Sequence, residues 1–141
     1  MTEEEMETAR AFVACGRWKW LPGMRGHDRY VYFRVVERFH DGFLVRFRNP
    51  PSRQHKEHRF WDNSALNPPL APDITDPCTK GGILQVVRDA TGRKYACLEY
   101  IPLGCWAMVD PIDGRWLREQ DYGASEAEAL LIALQAAPEA P

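Results

Sequence analysis

An arginine-rich ribbon in the N-terminal half of the chain concentrates the side chains with the clearest potential for binding chemistry. Between residues 30 and 48, apolar residues alternate with arginines on both sides of an Asp-Gly dipeptide. Guanidinium groups bind carboxylates and phosphates through paired hydrogen bonds, and tyrosine rings supply flat contact area. In a strand pair, alternate side chains share one face, so the ribbon predicts an anion-binding surface. Its candidate residues are Tyr30, Tyr32, Arg34, Arg38, Arg46 and Arg48.

A histidine pair beyond the ribbon is the one arrangement with metal-binding potential. His55 and His58, with Asp62 nearby, could coordinate a metal ion if the segment were helical, since residues three apart share a helix face. Neighbouring prolines and arginines disfavour a helix, and a dedicated metal site usually has more ligands and supporting hydrogen bonds than these residues offer. A solvated histidine pair is the alternative, and no cofactor is predicted.

Sequence motifs of common catalytic sites do not occur in the chain. The patterns G-x-x-x-x-G-K, G-x-G-x-x-G, G-x-S-x-G and H-E-x-x-H are all missing. The familiar phosphate-binding loops, the hydrolase nucleophile and the zinc-protease helix are therefore not indicated. Four cysteines form no C-x-x-C pair, and we interpret them as reduced thiols of an intracellular protein. An enzyme is not the favoured interpretation.

Composition limits the size and the location of the protein. With 141 residues, 45% of them hydrophobic, the chain can bury one core, so we expect a single domain over residues 1–141. The net charge of −2 hides a segregation, because residues 10–60 carry twelve Arg and Lys against four Asp and Glu. No apolar run reaches membrane-spanning length, and the first residues are acidic where a secretory signal is basic, so we expect no export.

Three helices and two groups of three strands are predicted to position these residues. Each helix has a side chain suited to cap its first turn: Thr2 with Glu5, Asp76 with Pro77, and Ser125 with Glu128. Strands are predicted at 18–20, 31–39 and 43–48, then at 94–101, 104–110 and 115–118. The expected fold is an α+β sandwich of antiparallel sheet with three helices, in the order α-β-β-β-α-β-β-β-α.

The turn of the ribbon sets its register. A two-residue turn at Asp41-Gly42 would mix apolar and charged residues on each face. A three-residue loop over residues 40–42, with Gly42 in the left-handed conformation, keeps the faces separate and sets Val35 opposite Phe47. That register also sets Arg34 opposite Arg48, and it leaves Glu37 on the apolar face, where it would need a position near a sheet edge or a partner.

Segments outside the ribbon permit more than one interpretation. Trp18 and Trp20 are predicted to anchor the core from a short strand, with ligand stacking as the alternative. Residues 49–75 hold five prolines and form either a functional arm or a loop in which HKEHRFW hides a short edge strand. The tail at 136–141 is expected to be frayed.

The chain resembles a family of small uncharacterised proteins encoded by tailed phages and prophages. The resemblance rests on three stretches: 20–24 (WLPGM), 72–79 (PDITDPCT) leading into a helix, and 126–130 (EAEAL). It implies an α-β-α sandwich, a phage accessory gene product in the cytoplasm of a bacterial host, and no known catalytic residues. The basic ribbon and the proline-rich segment have no counterpart in that resemblance.

These features favour a non-catalytic phage protein that binds an acidic host or phage partner protein through the Arg/Tyr face and so counters a host enzyme or defence complex. The alternative is that the same face binds single-stranded or duplex nucleic acid, with arginines on phosphates and tyrosines stacked on bases. A lesser alternative is a metal-dependent hydrolase using His55 and His58. The competing view is that the arginines only solvate a sheet or pair with acids of the C-terminal half.

Overall fold

The computed structural model of the protein describes residues 1–29, 31–48, 57–62, 66, 69–102, 104–112 and 122–137. Contacts within the chain cluster into two compact units, Met1–Gly82 and Ile83–Pro141. The boundary falls inside the second helix, and each unit has its own antiparallel sheet. The single domain expected over residues 1–141 stays a prediction.

The first unit contains a five-stranded sheet with the strand order β4-β3-β2-β1-β5. Helix α1 (Glu3–Ala14) precedes the sheet, and helix α2 (Pro77–Thr91) begins in this unit. The strands are β1 (Arg25–Asp28), β2 (Val31–Arg38), β3 (Gly42–Phe47), β4 (Glu57–Trp61) and β5 (Ala71–Pro72).

The second unit contains the rest of α2, a two-stranded hairpin and helix α3 (Glu126–Gln135). The hairpin consists of β6 (Cys97–Ile101) and β7 (Cys105–Val109), and α3 packs against both strands. Three helices with antiparallel sheet confirm the predicted α+β class. The strand predicted at 115–118 and residues 138–141 of the tail lie outside the described residues, whereas Ala137 is buried.

The predicted caps explain where the helices begin. Thr2 and Glu5 form a full capping box, in which each side chain accepts a hydrogen bond from the other residue's backbone N–H. Asp76 accepts a hydrogen bond from the backbone N–H of Thr79 at 3.0 Å and so caps α2. Ser125 caps α3 in the same way through the N–H of Glu128.

An aromatic cluster fills one side of the five-stranded sheet. Trp20, Phe33, Phe43 and Phe60 are all buried, and the ring centroids of Trp20 and Phe43 are 5.5 Å apart with nearly parallel planes. The prediction that Trp20 anchors the core is confirmed, but the strand predicted at 18–20 is wrong. Residues 18–20 lie in an irregular segment before β1, where Trp20 is buried and Trp18 is half-buried with its ring centroid 5.4 Å from that of Trp20. These ring contacts hold the two indoles without strand pairing.

The β2–β3 hairpin turns through two residues, so the predicted three-residue loop is wrong. The backbone N–H of Phe39 donates to the carbonyl of Gly42 at 2.8 Å, which leaves His40 and Asp41 as the loop. Gly42 belongs to β3 and does not adopt the left-handed conformation. Beside the turn, Arg38 pairs with Phe43.

A β-bulge at Val36 then shifts the alternation of inward- and outward-facing side chains along β2. Val35 pairs with Val45 and Glu37 pairs with Leu44, so Val36 is one extra residue in β2. Both Val36 and Glu37 are exposed, which removes the expected conflict of a carboxylate on the apolar face. The bulge therefore keeps the apolar residues on one face despite the short loop.

One edge of the sheet lies at β4, and β5 forms the other. The position of β4 beside β3 alone confirms the interpretation of HKEHRFW as a short edge strand for residues 57–61. Residues 55 and 56 lie outside the described part of the chain. The rest of the proline-rich arm that was expected over 49–75 is described only at 62, 66 and 69–75.

We predict that Gly42→Ala destabilises the first unit. A Cβ at this position would collide with the backbone carbonyl oxygen of Phe60 on the neighbouring strand, so the sheet would have to shift. Overpacking of this kind typically costs about 1–3 kcal/mol, measurable as a lower urea midpoint. The matched control is Gly81→Ala, which meets open space within α2 and should raise the midpoint. Equal midpoints for Gly42→Ala and the wild type would contradict the close approach of β3 to β4 at this position.

Candidate anion-binding surface

Three arginines lie side by side across neighbouring strands on the face of the sheet opposite the aromatic cluster, here called the outer face. Arg34 of β2 pairs with Arg25 of β1 and with Arg46 of β3. Cross-strand partners have Cβ atoms about 5 Å apart, so the side chains form a continuous arginine row. Glu57 of β4 pairs with Arg46 and ends the row.

Each arginine of the row already contacts a carboxylate. Arg34 donates to both oxygens of Asp76, at 3.2 and 3.4 Å. Arg46 donates to Glu57 at 2.8 Å, and Arg25 lies 3.7 Å from Asp73. The competing view, that these arginines pair with acids of the C-terminal half, is therefore seen for Arg25 and Arg34, whereas the partner of Arg46 comes from the neighbouring strand β4.

Arg38 does not belong to the arginine row. The bulge makes it the partner of the buried Phe43, which places it on the inner side of the sheet, at the end of the hairpin. There it forms two hydrogen bonds to the carboxylate of Asp62, at 2.7 and 2.5 Å. The predicted grouping of Arg38 with Arg34 and Arg46 is wrong, because pattern reasoning places every second residue on one face and a bulge interrupts that alternation.

Arg48 differs from the row in having no carboxylate partner among the described residues. Its backbone N–H donates to the carbonyl of Tyr32 at 3.0 Å, so Arg48 lies level with Tyr32 and not opposite Arg34 as predicted. The ring of Tyr32 is 4.1 Å from the guanidinium carbon of Arg25. Tyr30 lies outside the described residues.

A depression of about 370 Å³ joins these side chains into one surface. It is lined by Arg25, Tyr32, Arg34, Val36, Arg46 and Arg48, among others. Sequence reasoning missed Arg25, since the segment Arg25–Asp28 has no apolar alternation and gives no strand signal.

The contact between Arg34 and Asp76 changes the protonation of both groups. Hydrogen bonding to Asp76 raises the pKa of the Arg34 guanidinium. Burial alone would raise the pKa of Asp76, but hydrogen bonds from Arg34 and Thr79 outweigh it and lower that pKa below its usual value of 3.8. Asp76 is therefore held as a carboxylate between the arginine row and the first turn of α2.

His27 lies at the β1 end of the outer face, opposite Tyr32. Its ring lies 4.3 Å from that of Tyr32, and burial lowers the pKa of its imidazole. The Nε2 atom is buried and has no hydrogen-bond partner among the residues that the structure describes. Because its pKa is lowered, the imidazole of His27 is neutral at pH 7 and adds no charge to the outer face.

The described residues do not bring together the candidate metal ligands, which the sequence itself disfavours. His58 lies in β4 and Asp62 directly follows that strand, so the two residues are separated by about 13 Å of extended chain, and Asp62 is bonded to Arg38. No group of three or more His, Cys, Asp or Glu that could hold a metal occurs in the described ranges. His55 lies outside them.

None of the helices in the described part of the chain is long and apolar enough to cross a membrane. Comparisons with protein-family models, curated proteins and solved structures return no match.

We predict that Asp76→Asn weakens the fold in a pH-dependent manner. Asparagine still accepts from Thr79 but loses the ion pair with Arg34, a partly exposed pair worth no more than about 1 kcal/mol. Because the pKa of Asp76 is lowered on folding, its contribution is complete above pH 3.8 and is lost as the pH falls through the folded value. Urea unfolding should therefore show a gap between wild type and variant that closes in acid. The control Asp76→Ala, which also loses the cap, should cost about 1 kcal/mol more. A gap that stays constant in acid would contradict this account.

Proposed function

We propose that the protein is a non-catalytic binding protein whose outer face docks an acidic partner protein. The observation that carries the proposal is the arginine row, in which three guanidinium groups stand next to one another on an accessible sheet face. Like charges directly opposite one another destabilise a sheet, and negative charge between them offsets this cost. Carboxylates from a partner would supply such charge.

The internal ion pairs leave this surface able to bind. The side chains of Arg46 and Glu57 are 62% and 46% exposed, so their contact is screened by water and contributes little to stability. A partner carboxylate can therefore replace Glu57 at small cost. Arg48, exposed and without a carboxylate among the described residues, is ready for a first contact. Arginine and tyrosine are the residues that interface cores favour.

The pattern of charges on the outer face favours a protein over a nucleic acid as the binding partner. Exposed Glu37 and Glu57 lie among the arginines and would repel a continuous phosphate backbone. Tyr32 already contacts Arg25 and His27, so its ring is less available for base stacking. A protein surface can place isolated carboxylates against individual arginines, whereas a nucleic acid presents an unbroken series of anions.

The identity of the partner as a host or phage protein, and a role in countering host defence, rest on the resemblance to phage proteins alone. They form part of the proposal. Nothing in the described residues adds support to a metal-dependent hydrolase.

We predict that reversing two charges of the outer face removes partner binding. Arg46→Glu with Arg48→Glu replaces attraction with repulsion for any acidic surface, while Arg10→Glu changes an exposed arginine of α1 and serves as the matched control. Affinity capture from bacterial lysate, with quantification by mass spectrometry, should show acidic proteins retained by the wild type and the control and lost from the double variant. Capture of the same proteins by all three would overturn the proposal.

A nucleic-acid titration separates the two candidate functions. We expect short single-stranded and duplex DNA to bind weakly, with a slope of log affinity against log salt of about −1 to −2, since the arginines of the row have carboxylate partners and only Arg48 of the outer face lacks one among the described residues. A slope of about −3 to −4 would favour the nucleic-acid alternative, because it requires several arginines to release their carboxylates for phosphates.

A further inference from the structure

A second cavity lies on the inner side of the first unit, at the turn end of the β2–β3 hairpin. Its volume is about 570 Å³, within the range of small-molecule sites, and we call it the hairpin-end cavity. Its lining includes Trp18, Trp20, Phe43 and Trp61 together with Lys19, Arg38 and Asp62. The outer face and this cavity share no arginine, because the bulge separates Arg38 from the arginine row.

The aromatic walls of the cavity are rigid and flat. Trp20 and Phe43 are buried and nearly parallel, and Trp18 meets Trp20 edge to face with ring centroids 5.4 Å apart. Trp61, at the end of β4, keeps 49% of its surface exposed even though the guanidinium of Arg59 lies 4.3 Å from its ring centroid. Fixed aromatic walls with one accessible ring suit a flat apolar ligand, which can cover the exposed indole without reordering the site.

A polar anchor reaches the same cavity through the bulge. Bulges often redirect a side chain near a binding site, and here the bulge turns Arg38 inward. Arg38 donates two N–H groups to Asp62, so three of the five guanidinium donors remain for another acceptor. Asp62 fixes the plane of the guanidinium and so orients those donors.

The charged side chains that line the cavity determine which ligand charge is favoured. Lys19 and Arg38 bring two positive charges and Asp62 brings one negative charge. An aromatic cavity can also bind an ammonium group, but the two cations would repel it. The balance therefore favours an anion.

We propose that the hairpin-end cavity binds a small planar aromatic carboxylate, with its ring against the aromatic walls and its carboxylate on Arg38. The proposal does not depend on the function of the outer face, since the two sites draw on different arginines and opposite sides of the sheet.

Isothermal titration calorimetry with three probes that share a naphthalene ring tests the chemistry: 2-naphthoate, its neutral amide 2-naphthamide, and the cation 2-naphthylmethylammonium. We expect wild-type protein to bind the carboxylate at least about tenfold more tightly than the amide, because the carboxylate can form an ion pair with the Arg38 guanidinium through two hydrogen bonds, whereas the amide oxygen carries no charge. The cation should bind least. Absence of carboxylate binding, or equal affinity for carboxylate and amide, would overturn the proposal.

Two variants test the location. Arg38→Leu should reduce the affinity for the carboxylate to that for the amide, while the matched control Arg10→Leu, at an exposed arginine of α1 outside the cavity lining, should leave both affinities unchanged. Trp61→Ala should weaken the binding of the carboxylate and the amide alike, since it removes a wall and no charge. Thermal unfolding checks that each variant folds, and if Arg38→Leu does not, the order of the three probes on the wild type still decides. Unchanged carboxylate affinity in a folded Arg38→Leu variant would contradict the assignment.

Discussion

The bulge at Val36 is the feature on which the arrangement of both candidate sites depends. One extra residue in β2 lets a two-residue turn coexist with a continuous apolar face. Before the bulge, Arg34 faces outward beside its neighbours in the arginine row. After the bulge, Arg38 faces inward beside buried Phe43. A single backbone irregularity thus divides one run of arginines between two surfaces with different chemistry.

Burial of the aromatic cluster supplies the free energy that fixes the register of β2 and so the positions of its arginines. A register slip of one residue would carry Phe33 and Val35 from the core to water, and burying a side chain of this size is worth about 1.5–3 kcal/mol. Exposed ion pairs are worth far less, so the arginines follow the register that the apolar residues select. The carboxylates of Asp62 and Asp76 then hold two of these arginines in defined orientations. Packing places the charges, and local ion pairs orient them.

Sequence patterns predict much of this fold and only part of the candidate sites. Helix starts were predictable because a cap such as that of Thr2 or Asp76 is a local interaction between residues three apart. The bulge was not predictable, because its only signal was Glu37 on the apolar face, and a carboxylate at a sheet edge or beside a cation would produce the same pattern. Arg25 was missed because its short strand is recognised only by pairing with β2, which is a tertiary contact.

The backbone pairing of the hairpin tests this account most directly. Nuclear Overhauser contacts between protons of facing residues report which residues of β2 and β3 are opposite one another. The account predicts contacts joining Val35 to Val45 and Arg38 to Phe43. Contacts joining Val35 to Phe47, without contact between Arg38 and Phe43, would mean that β2 has no bulge and that Arg38 lies on the outer face with the arginine row.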